Sequence, residues 1–162
     1  MSELLEKARS YEAKKIAATD KESKPLFHIS APAGWINDPN GFSVYNGKIH
    51  LFYQYYPYLR EWGPMHWGHS TTSDMIKWEQ LPCVMAPDEE YDKKGCFSGS
   101  AIEADGKHVL VYTGVTSIKL PDGSEQERQN QCIAFGDGLN YVKYENNPVV
   151  TGDMLPENCS RI

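Results

Sequence analysis

The chain has 162 residues, the usual size of one globular domain, and 40% of them are hydrophobic, enough for a core. Its net charge is −6 and its longest basic runs are Lys14-Lys15 and Lys93-Lys94, which argues against a nucleic-acid or anionic-lipid binder. With a mean hydropathy of −0.56 and no long apolar run, nothing in it reads as a membrane span.

Residues 3–18 read as a helix of good helix formers, with Leu4, Leu5, Ala8, Tyr11 and Ile16 on a modest apolar side. Residues 20–24 form a polar linker, and Pro25 ends any helix. Residues 1–23 are charged throughout and lack the apolar stretch of a secretory signal, so a cytoplasmic chain is expected. In that setting the four cysteines, Cys83, Cys96, Cys132 and Cys159, read as buried free thiols.

After Pro25 the helical period gives way to short strands. Residues 42–45 and 48–54 flank Asn46-Gly47, the strongest short-range hairpin signal. Residues 66–72 and 77–85 make two more strands. The plan then repeats: 96–103, a turn at Asp105-Gly106, 107–113, 129–135 and 141–150. The two turns lie 59 residues apart, and at that offset Leu51 falls on Leu110 and Tyr53 on Tyr112. Long loops are expected at 55–65 and 114–128. Two successive four-stranded antiparallel units point to blades of a β-propeller, with a sandwich or barrel as the alternative. Two blades cannot close a ring, so uncovered blade edges predict self-association, swapping or aggregation.

Four ordered segments carry chemistry. They are Trp35-Ile36-Asn37-Asp38-Pro39-Asn40-Gly41, Phe52-Tyr53-Gln54-Tyr55-Tyr56-Pro57, the run from Glu61 through Trp62 to His69, and Phe97-Ser98-Gly99-Ser100-Ala101. The first, taken alone, reads as turn chemistry, since Pro39 and Asn40-Gly41 suit a tight turn. His66 and His69 resemble a metal pair, but residues three apart on a strand point to opposite faces, so a structural role is expected. No zinc-like Cys/His spacing, phosphate-binding glycine loop or serine-hydrolase elbow is present, and no metal or cofactor is expected. Trp67 and Trp78 read as core.

Together the four segments resemble glycoside hydrolase family 32, the β-fructofuranosidases or invertases, over roughly residues 25–150. The charged leading helix makes the bacterial sucrose and sucrose-6-phosphate hydrolases the most similar members. The resemblance implies a five-bladed propeller acting on a fructoside by a retaining, two-carboxylate mechanism. Asp38 would be the nucleophile. It must be ionised, so hydrogen bonds to the charged form are expected, with Asn37 among the candidate donors. Asn37 and Gln54 would hydrogen-bond fructose hydroxyls, Trp62 would offer its ring and N–H, and Phe97 and Ser98 would line the pocket.

The chain departs from the family pattern in three ways. It has no Arg-Asp-Pro segment, its Glu157-Asn158-Cys159 is not the Glu-Cys that supplies the acid, and Tyr56 stands where many relatives have Asn. The expectation is a helix and linker at 1–24, then a partial propeller at 25–162: an N-terminal piece of two blades, inactive alone. The alternatives are a non-catalytic carbohydrate-binding or structural propeller piece, and levan or inulin as the parent's substrate. Arg60, Lys93 and Lys94 lie in loops that could reach a substrate phosphate, though surface solvation accounts for each.

Overall fold

The structure, a computed structural model, describes every residue except Lys21, Ser23, Leu26 and residues 157–162. The Glu157-Asn158-Cys159 segment therefore lies outside the described residues. Helix α1 (Glu3–Ala18) is followed by β1 (Trp35–Tyr45), β2 (Lys48–Tyr56), β3 (His66–Thr72) and β4 (Glu79–Met85). Then come β5 (Gly95–Ala104), β6 (Lys107–Lys119), β7 (Glu125–Gly136) and β8 (Tyr141–Lys143). The strands form two four-stranded antiparallel sheets, β1-β2-β3-β4 and β5-β6-β7-β8, each built from consecutive strands. This arrangement is the repeat of a four-strand unit read from the sequence, and not one closed barrel of eight strands.

The two expected hairpin turns are near copies. Asn46 and Gly47 adopt φ of 49° and 71°, and Asp105 and Gly106 adopt 51° and 72°. Positive φ at both central residues matches the twist of the flanking strands, which is why Asn-Gly and Asp-Gly stand there.

Three expectations need correction. The segment 114–128 is not a long loop: β6 and β7 stay paired out to Lys119 and Glu125. Asp122-Gly123 closes that hairpin, with Asp122 Oδ1 accepting from the Ser124 amide at 2.9 Å. The last strand stops at Lys143, because Asn147 turns its side chain back to the Ile133 backbone and Pro148 has no N–H for a ladder. Finally, residues 35–41 lie inside β1 and do not form a turn. Their turn-type residues are spent on register shifts at Asn37/Pro39 and Asn40/Ser43, with Asp38 and Gly41 at positive φ.

Along β2 the two-residue period sends Phe52 and Gln54 toward the second sheet and Tyr53 and Tyr55 toward the helix. The main core, between the sheets, gathers Phe52, Trp67, Val84, Leu110, Tyr112 and Tyr141. Cys96 and Cys132 join it, and Cys83 lies under the helix; all three are buried free thiols, as expected. Trp78, by contrast, is only half-buried, just ahead of β4. His66 and His69 are both buried, and among the described residues no cluster suits a metal.

Helix α1 is capped by Ser2, whose Oγ accepts from the Leu5 amide at 3.2 Å. Its buried face is Leu5, Ala8 and Glu12, while Leu4 and Ile16 are exposed. The difference from the expected stripe has a cause. Here the helix meets backbone at the open edge of β4 as well as apolar side chains. Glu12 Oε2 accepts from the Cys83 N–H at 3.0 Å, and Arg9 Nε donates to the Cys83 carbonyl at 2.8 Å. Two charged side chains thus occupy a strand edge that could otherwise template another strand. Burial raises the Glu12 carboxyl to about 7, against the lowering effect of its hydrogen bonds and Arg9.

Polar groups also tie the two sheets together. Asp92 is fully buried and accepts from Tyr112 Oη at 2.9 Å and from Lys143 Nζ. Lys143 also meets Asp88 and the Ala86 carbonyl. Burial opposes its charge, but the anionic neighbours, Asp92 and Asp88 among them, hold its pKa above the ordinary lysine value. On the opposite flank, His108 sits between Ser43 Oγ at 2.9 Å and Tyr141 Oη at 2.7 Å, and His50 Nδ1 meets His69 Nε2 at 2.9 Å. Burial lowers all three imidazoles, His108 to about 4; His66 is lowered to about 4 as well.

Candidate active site

Strands β1 and β5 lie side by side and carry the same irregularity. In β1, Asn37 pairs with Gln54 and Pro39 with Tyr53, leaving Asp38 without a partner. In β5, Phe97 pairs with Thr113 and Gly99 with Tyr112, leaving Ser98 without one. A bulge re-aims the extra residue's side chain. Both bulged residues border one cleft of about 240 Å³, lined by Asn37, Asp38, Gln54, Trp62, Phe97 and Ser98, with Thr113 and Gln129 completing it. All six residues singled out from the sequence therefore meet in one place.

Asp38 is exposed, at φ 22°, a conformation that costs a non-glycine residue on the order of 1–3 kcal/mol. Its carbonyl accepts from Asn40 Nδ2 at 3.1 Å, which helps hold that backbone. The expected hydrogen bond from Asn37 to the carboxylate is not formed. Asn37 Oδ1 instead accepts from Trp35 Nε1 at 2.8 Å, leaving its amide N–H groups for the cleft. Among the described residues the Asp38 carboxylate accepts no hydrogen bond.

Gln54 is 3% exposed, and its Nε2 donates to the Cys96 carbonyl at 3.0 Å. The amide is thereby fixed across the seam between the sheets. Trp67 Nε1 donates to the Phe97 carbonyl at 3.1 Å, and the Cys96 amide donates to Met65 at 2.8 Å. These three bonds set the start of β5, and with it Phe97 and Ser98. Trp62 is 57% exposed and meets Phe97 edge-on, with ring centroids 6.2 Å apart. The result is an aromatic corner beside a polar floor, a combination suited to a sugar's apolar face and hydroxyls.

Thr113 and Gln129 were missed in the sequence. The signal for Thr113 was present, since the 59-residue offset that aligns the hairpins carries Gln54 onto it. Gln129 has no such signal: it was read as the first residue of the strand 129–135, and nothing in the sequence singles it out there. Arg60, Lys93 and Lys94 do not border the cleft. Lys93 pairs with Glu90, and Lys94 approaches Glu125 at 3.8 Å.

Residues 28–161 match the glycosyl hydrolases family 32 N-terminal domain. The chain is 47% identical over 120 residues to the Escherichia coli sucrose-6-phosphate hydrolase, covering 74% of this chain and 25% of that one. It is 39% identical over 151 residues to the Bacillus subtilis levanase, covering 91% and 22% respectively. In structure it resembles the Bombyx mori GH32 β-fructofuranosidase at a TM-score of 0.81 and 45% identity, over 94% of this chain and 31% of that one. The chain thus spans about a quarter of the length of these curated relatives.

Proposed function

The chain belongs to glycoside hydrolase family 32, and on that premise we propose that it carries the nucleophile side of a site that hydrolyses the fructosyl bond of sucrose or sucrose-6-phosphate. Fructan is the alternative substrate. The observation that carries the reading is the single cleft holding Asn37, Asp38, Gln54, Trp62, Phe97 and Ser98. The names of the relatives, which include a sucrose-6-phosphate hydrolase, a raffinose invertase and a levanase, support a fructoside over other sugars.

In this reading the Asp38 carboxylate attacks the anomeric carbon while the bond to the leaving glucose oxygen breaks. A second carboxylic acid protonates that oxygen, then takes a proton from the water that releases fructose. Asn37 donates to a fructose hydroxyl, Gln54 accepts through its remaining amide oxygen, and Ser98 does either. Trp62 and Phe97 wall the apolar side of the ring.

Retaining hydrolysis needs two carboxyls about 5–5.5 Å apart. Among the described residues the cleft is lined by one, Asp38. The 162 residues alone therefore hold an unfinished site with little or no turnover. The two sheets are read as two blades of a five-bladed propeller, with residues 1–24 as helix and linker and 25–162 as partial catalytic domain. Phe42, Val44 and Ile102 on β1 and β5 are each more than half exposed, apolar positions that further blades, or a second copy, would cover. A cytoplasmic location is part of the same proposal. The lone carboxylate also fits a second reading, a propeller piece that binds fructosides without cleaving them.

Fructose release from sucrose and sucrose-6-phosphate, measured beside Asp38→Asn, tests this. The chain alone should release nothing above that control, and supplying the remaining family 32 blades in trans should restore release. Sugar binding without release after complementation would favour the second reading. Release by the chain alone that Asp38→Asn abolishes would overturn the claim of an unfinished site.

A further inference from the structure

A second cavity, of about 380 Å³, lies apart from the cleft. It lies between the last turns of α1, the segment ending at Gly34 and the loop after β2. Three cations line it, Lys15, Lys24 and Arg60, one from each of three chain segments, and among the described residues no carboxylate does. In a chain of net charge −6 that is a local reversal of sign. Among the described residues none of the three cations forms an ion pair, although Lys24 is half-buried.

The walls are built. Tyr11 and Tyr58 meet edge to face at 5.3 Å, and Tyr11 Oη donates to the Tyr58 carbonyl at 3.2 Å. Lys15 Nζ is held 5.4 Å over the Tyr11 ring. The Tyr58 hydroxyl is buried without a partner among the described residues. The end of a helix ordinarily repels anions through its free carbonyls. Here Thr19 occupies two of them: its Oγ1 donates to Lys15 O at 2.8 Å and its amide to Ile16 O at 3.3 Å.

The geometry points to an anion site, separate from the fructoside cleft, that takes a phosphate monoester or inorganic phosphate between Lys15, Lys24 and Arg60. Unpaired ammonium and guanidinium groups converging on a tyrosine-walled cavity match a compact dianion with several acceptor oxygens. The volume admits phosphate alone or phosphate carrying a hexose. The site stands independently of the fructoside reading, since it shares no residue with the cleft.

Titration of inorganic phosphate into the 162-residue protein, followed by calorimetry at constant ionic strength with chloride as counter-control, tests it. Saturable binding is expected, with sulfate competing. Lys15→Gln/Arg60→Gln, which changes two exposed side chains, should weaken it about tenfold or more, and Lys24→Gln should weaken it too. Glucose 6-phosphate in the same assay identifies the source: tighter binding than phosphate indicates a sugar phosphate, and equal binding indicates free phosphate. Ser98→Ala, a change confined to the cleft, should leave phosphate binding unchanged. No saturable binding, or binding that survives the double variant, would overturn the assignment while leaving the fructoside reading untouched.

Discussion

Glu12→Gln should stabilise the protein at neutral pH and much less in acid. Glu12 is 2% exposed, and burial raises its carboxyl from 4.5 to about 7. A carboxyl with a raised folded pKa contributes stability that is fully present below the unfolded value and is lost as pH climbs through the folded one. The window is therefore roughly pH 4.5 to 7. The full shift amounts to about 3 kcal/mol, of which less than about 1 kcal/mol is incurred at pH 5 and nearly all at pH 8. Glutamine keeps an oxygen to accept from the Cys83 N–H and carries no charge to desolvate. The Tyr55 hydroxyl lies beside the Glu12 carboxyl, so the new NH₂ has an acceptor at hand. Urea unfolding of both proteins at pH 5 and pH 8 should show the variant's advantage growing by about 2–3 kcal/mol between the two. An advantage that does not change with pH, or a loss of equal size at both, would refute the claim that a buried ionisation destabilises the helix contact.

Three further outcomes follow from the packing. His66 and His108 have folded values lowered to about 4, so stability is intact above their ordinary value near 6.5 and falls as pH drops toward 4. Each should cost about 2 kcal/mol by pH 5, read in the Glu12→Gln background where the carboxyl no longer offsets it; a flat stability between pH 7 and 5 would contradict this. Lys143→Met should destabilise by about 3–5 kcal/mol by chemical denaturation, because Asp92 and Asp88 lose the cation that compensates them. Gly99→Ala places a Cβ 1.9 Å from the Val111 carbonyl oxygen and should cost at least about 2 kcal/mol, whereas Gly106→Ala meets nothing within 4 Å and bears only backbone strain.

Much of the fold was legible because the sequence states it twice. Asn46-Gly47 and Asp105-Gly106 marked the hairpins, and β3 was located to the residue at His66–Thr72. The misreadings share one cause: a residue with turn-forming chemistry can act inside a strand. Pro39, Asn40 and Gly41 signalled a turn and instead make bulges, while Asp122-Gly123 was a hairpin turn hidden in what looked like a loop. The buried face of α1 was unreadable for a different reason. Glu12 is buried and Arg9 half-buried to bond a strand edge, and apolar periodicity carries no information about backbone edges. The candidate site could be read as residue types, but not in its wiring. Nothing in the order of residues says that Gln54 reaches across to Cys96 or that Asn37 is already engaged by Trp35.

The paired bulges at Asp38 and Ser98 separate backbone geometry from chemistry. One local distortion, made twice by duplicated strands, delivers a carboxylate from one copy and a hydroxyl from the other to the same cleft. Reactive identity then rests on a single side chain in each copy. A chain built this way can exchange the groups it offers a ligand without redesigning the scaffold that aims them.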